Sequence, residues 1–260
     1  MARRRLVVSR KFAGALERVR WADEQILELK VRSLHFFEAQ GYGRTSKIDP
    51  KSGYRIDKIK LTGPLPSPIV RNAVQIIENL RSALDHGACA VVKGASKKRA
   101  TSFPFGDTKR KFDAALGEKC KHVPNDIKSV FRKLKPYKGG NPPLWALNRI
   151  CNATKHRTIV EPGIHFKDVV FDDIWSVGAP EGVVTSHPIW DARKHEIIVS
   201  RATGKGTIHH DVEFSMTVAF GKVPIFRGRP VLPVLRYLAS TVERILWLTE
   251  CEARKIGIIK

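Results

Sequence analysis

The spacing of apolar residues along much of the chain is that of one face of an α-helix. In residues 68–92 the apolar stripe includes Ile69, Ile76, Leu80 and Leu84, which follow one another at intervals of four or seven positions. Glycines and prolines separate the periodic segments, as is typical of turns between helices. The pattern predicts six helices, at residues 11–39, 68–92, 107–117, 124–134, 143–155 and 230–255.

Strand periodicity replaces helical periodicity after Arg157. Between residues 207 and 220 apolar and polar residues alternate, which is the period of a half-buried β-strand. Other β-rich segments are residues 54–61, 158–170, 183–189 and 196–201. Helices come first, strands second and one helix last, so the sequence predicts an α+β fold. We expect an N-terminal helical bundle, a small antiparallel β-sheet and a C-terminal helix that packs back on the bundle.

This order of elements predicts two regions within one integrated domain. Residues 1–157 form the mainly helical region, and residues 158–260 form the β-rich region plus the C-terminal helix. No run approaches the roughly 18 apolar residues that span a bilayer, so no transmembrane segment is expected. The four cysteines lie far apart in sequence, which favours reduced thiols, a cytoplasmic protein and no metal site. Phosphate-binding and dinucleotide-binding glycine motifs do not occur, so we expect no cofactor.

The charge of the chain indicates a polyanionic partner. Its 47 Lys and Arg residues against 25 Asp and Glu give a net charge of +22. Nucleic acid is the first candidate and an anionic membrane surface the second. Residues 93–138, which we call the basic segment, hold fourteen Lys or Arg and four Asp or Glu, a net charge of +10. The alternative interpretation is a solvated face in a generally basic protein.

Within the basic segment, three clusters are the predicted contacts to nucleic acid, because exposed cations neutralise phosphates. Aromatic residues are interleaved with them, and we favour core packing over stacking on bases for these. The predicted contacts are Lys97, Lys98, Arg99, Lys109, Arg110, Lys111, Arg132, Lys133 and Lys135. The interleaved aromatics are Phe103, Phe105, Phe131 and Tyr137.

Two motifs carry a resemblance to known proteins. The first runs from Glu78 to His86 with the sequence ENLRSALDH, and the second runs from Asn152 to Arg157 with the sequence NATKHR. Together they resemble a group of uncharacterised bacterial proteins with an NLRSALDH helix and a downstream N-x-x-KHR. The resemblance covers roughly residues 65–157. No activity is implied by this group alone.

The first motif also resembles, more distantly, the Arg-x4-His signature of the HEPN superfamily, whose helical proteins include metal-independent ribonucleases. The resemblance implies that Arg81 contacts the phosphate and the transition state, and that His86 is the general acid and base. A guanidinium and an imidazole suit these roles. On one continuous helix the two side chains point about 140° apart. A bend near Gly87, or a second subunit in a homodimer, would be needed to join them.

The same helix has alternative interpretations. Arg81 and Asp85 are spaced for an i,i+4 ion pair that tethers the helix. A stripe of polar residues lines either a site or a hydrogen-bonded contact with a neighbouring helix, and for Asn72 and Gln75 we favour the contact. The stripe consists of Asn72, Gln75, Asn79, Ser82 and His86.

The second motif concentrates cations where helix gives way to strand. One interpretation is a helix C-terminus with cations near the negative end of its dipole. The other is an anion-binding site that these residues form with the first motif. Its predicted members are Asn79, Asn152, Lys155, His156 and Arg157.

Three functional hypotheses follow. The first is a HEPN-like protein that binds RNA or cleaves it without metal, as a toxin or defence effector does. The second is a non-catalytic nucleic-acid-binding protein that uses the basic segment. The third is a structural or complex-forming subunit in which the first motif is a packing device. RNA is preferred to DNA as the partner.

Overall fold

A computed structural model describes residues 9–40, 42–61, 65–153, 160–177, 183–184, 189–191, 194, 196–202, 207–221 and 225–259. These residues form an α+β fold, as the order of elements predicted. The helices are α1 (Ala13–Gln40), α2 (Ser67–Ala90), α3 (Ala95–Arg99), α4 (Lys109–Glu118), α5 (Asn125–Leu134), α6 (Pro142–Ala153) and α7 (Val231–Lys255). The strands are β1 (Tyr42–Ile48), β2 (Arg55–Leu61), β3 (Val160–Val177), β4 (Val183–Val184), β5 (Ile189–Asp191), β6 (Glu196–Ala202) and β7 (Thr207–Phe220).

Helices α1, α2 and α7 form the centre of the helical bundle. Ile76 and Leu80 of α2 are fully buried, as are Leu235, Leu238 and Val242 of α7. The apolar stripes predicted from the sequence are therefore the faces that pack inward, because removing apolar area from water is the main favourable term in folding. Helix α7 packs on both α1 and α2, which confirms the predicted position of the C-terminal helix.

Helices α1 and α2 run antiparallel. At the start of α1, a Cβ atom added to Gly14 would lie 3.4 Å from Nδ1 of His86, near the end of α2. Toward the other end of the pair, Asn72 donates a hydrogen bond of 3.3 Å to Oε2 of Glu28. The absence of a side chain at Gly14 thus leaves room for the imidazole of His86.

Helices α4 and α5 cover a cluster of aromatic side chains. The ring centroid of Phe103 lies 4.9 Å from that of Phe105 and 4.9 Å from that of Phe131, and all three residues are buried. Tyr137 is partly buried, with its ring centroid 5.6 Å from that of Phe112. The favoured interpretation of these aromatics as core residues is therefore confirmed.

The strands form two antiparallel sheets. In one, β3 pairs with β7, and β7 occupies the residues predicted for it. In the other, β2 pairs with β1 on one side and with β6 on the other, while β4 and β5 both pair with β6. The β1–β2 hairpin from the first part of the chain therefore shares a sheet with strands from the second part.

The sequence-based prediction missed β1 and α3. Strand β1 has the sequence YGRTSKI, with apolar side chains only at its two ends, and Ile48 is 67% exposed. Helix α3 is five residues long and buries none of them. Because neither element carries an apolar face, hydrophobic periodicity could not indicate them.

Gly106 provides a test of how the segment before α4 packs. A Cβ atom at this position would lie 2.3 Å from the backbone nitrogen of Phe112 and 2.8 Å from the carbonyl oxygen of Thr108. We expect Gly106→Ala to lower the free energy of unfolding by about 1–3 kcal/mol, because backbone atoms must move to relieve the overlap. Urea denaturation measures this change.

Gly117→Ala is the matched control, because Gly117 lies in α4 with nothing within 4 Å of an added Cβ atom. Alanine favours a helix over glycine by about 0.5–1 kcal/mol, so this variant should be at least as stable as the wild type. Equal stability of the two variants would contradict the close approach at Gly106.

Candidate functional site

Arg81 contacts a carboxylate of its own helix and two other parts of the helical bundle. Its Nη1 lies 2.5 Å from Oδ2 of Asp85, and its Nε donates a hydrogen bond of 3.1 Å to Oδ1 of Asn148 on α6. Its guanidinium carbon lies 4.4 Å above the ring centroid of Phe105. The side chain is 15% exposed. The predicted Arg81–Asp85 ion pair is therefore present, and it connects α2 with α6 and with the segment that precedes α4.

Asp85 also holds the polypeptide that follows α3. Its Oδ1 accepts a hydrogen bond of 2.8 Å from the backbone N–H of Phe103. The thiol of Cys89, one turn further along α2, lies 3.2 Å from the carbonyl oxygen of Thr101 and 3.3 Å from that of Lys98. These contacts fix the short helix α3 against the last turn of α2.

His86 lies on another side of α2 and is exposed. It lines an open cleft of about 500 Å³, which we call the His86 cleft. The segment just before α1, the last turns of α2, and helix α3 with the residues after it form this cleft. Its lining residues are Lys11, Ser82, Asp85, His86, Cys89, Ala90, Lys98, Arg99 and Thr101.

The cleft carries a net positive charge. Lys11 contributes one cation, and its Nζ donates a hydrogen bond of 2.8 Å to the carbonyl oxygen of Ile258. Lys98 and Arg99 contribute two more, both exposed and without a carboxylate partner among the described residues. The single carboxylate of the lining, that of Asp85, is paired with Arg81. An anion entering the cleft therefore meets cations whose charge is not already neutralised.

Cys89 is not an activated nucleophile. Burial is the main cause that raises the pKa of its thiol, and the nearby carboxylate of Asp85 raises the pKa further. The charge of Lys98 acts in the opposite direction but does not reverse the shift. Because the thiolate is the reactive form, a raised pKa leaves this thiol protonated and unreactive at neutral pH.

The structure does not bring Arg81 and His86 together within one chain. Helix α2 is continuous from Ser67 to Ala90, so the angular separation predicted for a straight helix remains. Arg81 is absent from the lining of the His86 cleft. A site that combines both residues needs a second copy of the chain, and this homodimer stays a prediction.

Asn79 contacts α1 and does not line the His86 cleft. Its Oδ1 accepts a hydrogen bond of 3.1 Å from Arg18, and its Nδ2 donates one of 3.0 Å to Gln25. Asn72 is 4% exposed and donates a hydrogen bond to Glu28, which also lies on α1. The hydrogen-bonded helix contact that we favoured for both Asn72 and Gln75 is therefore confirmed for Asn72, whereas Gln75 is exposed.

The second motif is described only in part. Asn152 is exposed near the end of α6, which ends at Ala153. Lys155, His156 and Arg157 lie outside the described residues. An anion-binding site that joins them to the first motif stays a prediction.

The predicted contacts of the basic segment are all exposed and lie on or beside α3, α4 and α5. On α4, Lys109 pairs with Asp113 at 3.5 Å and Lys111 pairs with Asp107 at 4.0 Å. The other predicted contacts have no carboxylate partner among the described residues. They are Lys97, Lys98, Arg99, Arg110, Arg132, Lys133 and Lys135. Of these, Lys98 and Arg99 belong to the lining of the His86 cleft.

Reasoning from the sequence missed Lys11. It lies 75 positions before His86, and no local pattern connects the two residues. A signal that could have found it is the antiparallel pairing of the two longest helices near the N-terminus. That pairing brings the start of α1 beside the end of α2.

The chain matches no protein-family model, no curated protein and no solved structure. The resemblance to the HEPN superfamily therefore stays a prediction from the motifs. Within the described ranges, no group of His, Cys, Asp and Glu side chains is arranged to hold a metal ion. None of the described helices is both long enough and apolar enough to cross a membrane.

The role of Asp85 as a structural anchor can be measured. Asp85→Ala leaves the guanidinium of Arg81 without its counter-ion and the N–H of Phe103 without its acceptor. Since unpaired polar groups at half-buried positions are costly, we expect the free energy of unfolding to fall by about 1–3 kcal/mol in urea denaturation. Asp113→Ala removes the exposed ion pair with Lys109 on α4 and should change the free energy of unfolding by less than about 0.5 kcal/mol. Equal effects of the two substitutions would contradict the anchoring role.

Proposed function

We propose that the protein binds single-stranded RNA and holds its phosphate backbone in the His86 cleft. The observation that carries this proposal is that Lys11, Lys98 and Arg99 line the same cleft as the exposed imidazole of His86. The carboxylate in the cleft is already paired with Arg81, so it does not repel a phosphate. The net charge of +22 supports the same class of partner.

Electrostatics gives this interaction a measurable signature. Cations that neutralise phosphates release the counterions condensed on the nucleic acid, so the affinity falls as salt rises. For a single strand the slope of log affinity against log salt is about −0.7 per phosphate contacted. The preference for RNA over DNA rests on the resemblance of the first motif to the HEPN superfamily.

Metal-independent cleavage of the bound RNA is a second candidate function. The observation that favours it is the exposed imidazole of His86 beside cations that would neutralise a pentavalent phosphate. His86 would take the proton of a ribose 2′-hydroxyl as the 2′-oxygen attacks the phosphorus. The 5′-oxygen of the next nucleotide would leave and take a proton from water. The products would be a 2′,3′-cyclic phosphate and a free 5′-hydroxyl.

In this scheme Arg81 acts through Asp85 and does not touch the substrate within one chain. It neutralises the carboxylate that lines the cleft and holds that carboxylate against the N–H of Phe103. Direct contact between Arg81 and the phosphate belongs to the alternative in which two copies of the chain form the site. The third hypothesis, a structural or complex-forming subunit, predicts that Arg81→Ala destabilises the fold or abolishes a complex, and that the protein shows no salt-dependent RNA binding.

Binding is tested with a fluorescently labelled single-stranded RNA of twelve nucleotides across a salt series. Reversing two charges of the cleft with Lys98→Glu and Arg99→Glu should weaken binding at least about tenfold. It should also reduce the steepness of the salt slope by about 1.4, the value for two lost contacts.

The control reverses two exposed cations of other helices, Lys30→Glu and Arg236→Glu, which changes the net charge by the same amount. A similar loss of affinity in the control would show a general charge effect and would contradict binding in the cleft. Failure of the wild type to bind would contradict the proposed function as a whole.

Cleavage is tested by incubating the same RNA with the protein in the presence of a metal chelator. We expect the wild type to release products that end in a 2′,3′-cyclic phosphate, and His86→Ala to bind RNA without releasing them. His35→Ala, which changes an exposed histidine of α1, is the matched control and should cleave normally. Intact RNA in the wild-type reaction, together with salt-dependent binding, would restrict the function to binding.

A further inference from the structure

A second polar stripe lies on α1 and faces the polar stripe of α2. Its members follow one another at intervals of three or four positions, so they lie on one side of the helix. They are Gly14, Arg18, Trp21, Gln25, Glu28 and Arg32. We call the two facing stripes together the α1–α2 seam.

Hydrogen bonds connect the two stripes at two positions of α2, Asn72 and Asn79. Arg18 and Gln25 of α1 both bond to Asn79, and Glu28 accepts from Asn72. These three hydrogen bonds lie on the inner side of the seam. The outer side remains open, because Trp21 and Gln75 are exposed.

Cavities lie at both ends of the seam. The His86 cleft occupies one end. At the other, Arg32 and Arg71 belong to the lining of a cavity of about 250 Å³, together with Asn72 and Gln75. Asn72 and His86 are separated by fourteen positions of one continuous helix, a distance of about 21 Å. At the 3.4 Å spacing of nucleotides in a stacked strand, this length corresponds to roughly six nucleotides.

Trp21 lies between the two cavities and presents its ring to solvent. It is 40% exposed, and the guanidinium carbon of Arg18 lies 5.0 Å from its ring centroid. The hydrogen bond from Arg18 to Asn79 fixes that guanidinium in turn. An exposed indole beside a fixed cation is the kind of surface on which unpaired bases stack.

The charges along the seam suit an anionic strand. Arg71 is exposed and has no carboxylate partner among the described residues, and Arg32 is paired with Glu28 at 2.6 Å. On the outer face of α1, Arg20 pairs with both Glu17 and Glu24. On α2, the carboxylate of Glu78 is exposed and would repel an anionic strand. At one end of the seam, Arg32 and Arg71 outnumber Glu28. At the other end, the three cations of the His86 cleft outnumber its one carboxylate.

We propose that a single RNA strand lies along the α1–α2 seam, from the His86 cleft to the cavity at Arg71, with one base stacked on Trp21. This inference rests on the proposed function and extends it from one cleft to a binding track. It implies that affinity depends on RNA length until the strand spans the seam. Trp21 supplies a stacking contact that a strand confined to the cleft does not reach.

The test compares labelled uridine oligonucleotides of four and ten nucleotides in fluorescence polarisation. The wild type should bind the ten-nucleotide RNA at least about tenfold more tightly than the four-nucleotide RNA. Trp21→Ala should weaken binding of the longer RNA by about tenfold, because loss of one stacked base has an effect of that size. Its binding of the shorter RNA should not change. Trp21→Phe, which keeps an aromatic ring, should retain most of the affinity.

Trp247→Ala is the matched control, since Trp247 is 47% exposed on α7, outside the seam. Thermal denaturation of each variant verifies that it folds. Unchanged affinity of Trp21→Ala for the longer RNA, with a loss in the Lys98→Glu and Arg99→Glu variant, would overturn the seam and leave the cleft. Equal wild-type affinity for both lengths would overturn the seam as well. Binding of neither length would contradict both the seam and the proposed function.

Discussion

The ion pair between Arg81 and Asp85 is the interaction on which the candidate site depends. One carboxylate oxygen pairs with the guanidinium and the other accepts the N–H of Phe103, so Asp85 holds the backbone that follows α3. Helix α3 buries no residue of its own and cannot hold its place by apolar packing. The pair also neutralises the carboxylate in the lining of the His86 cleft. The same ion pair therefore determines both where α3 lies beside the cleft and how much negative charge the cleft carries.

Much of the fold could be predicted because most elements have one apolar face. The helix ends at 67–90 and 231–255 and the strand at 207–220 agree with the periodicity to within two positions. Strand β1 and helix α3 could not be predicted, because pairing and side-chain hydrogen bonds hold them and no apolar face does. Long-range contacts of that kind leave no periodic signal in the sequence.

The candidate site was predictable only where it depends on one helix. The i,i+4 spacing gave the Arg81–Asp85 pair, and the helical angle gave the separation of Arg81 from His86. Asn148 on α6 and Lys11 just before α1 come close to these residues, and no spacing within α2 can indicate either of them. A helical wheel assigns residues to a face, but the tertiary fold decides what that face meets.

The polar stripe of α2 shows why structural and functional interpretations of such a pattern need not exclude each other. Polar groups between packed helices need hydrogen-bond partners, and α1 supplies them to both amide atoms of Asn79 and to Nδ2 of Asn72. Those bonds fix the alignment of the two helices, so they also fix where Trp21, Gln75 and His86 emerge on the surface. A purely apolar contact would allow the helices to slide more easily, because dispersion forces have little directionality. These partly buried hydrogen bonds therefore position the exposed side chains of Trp21, Gln75 and His86, which take no part in the bonds.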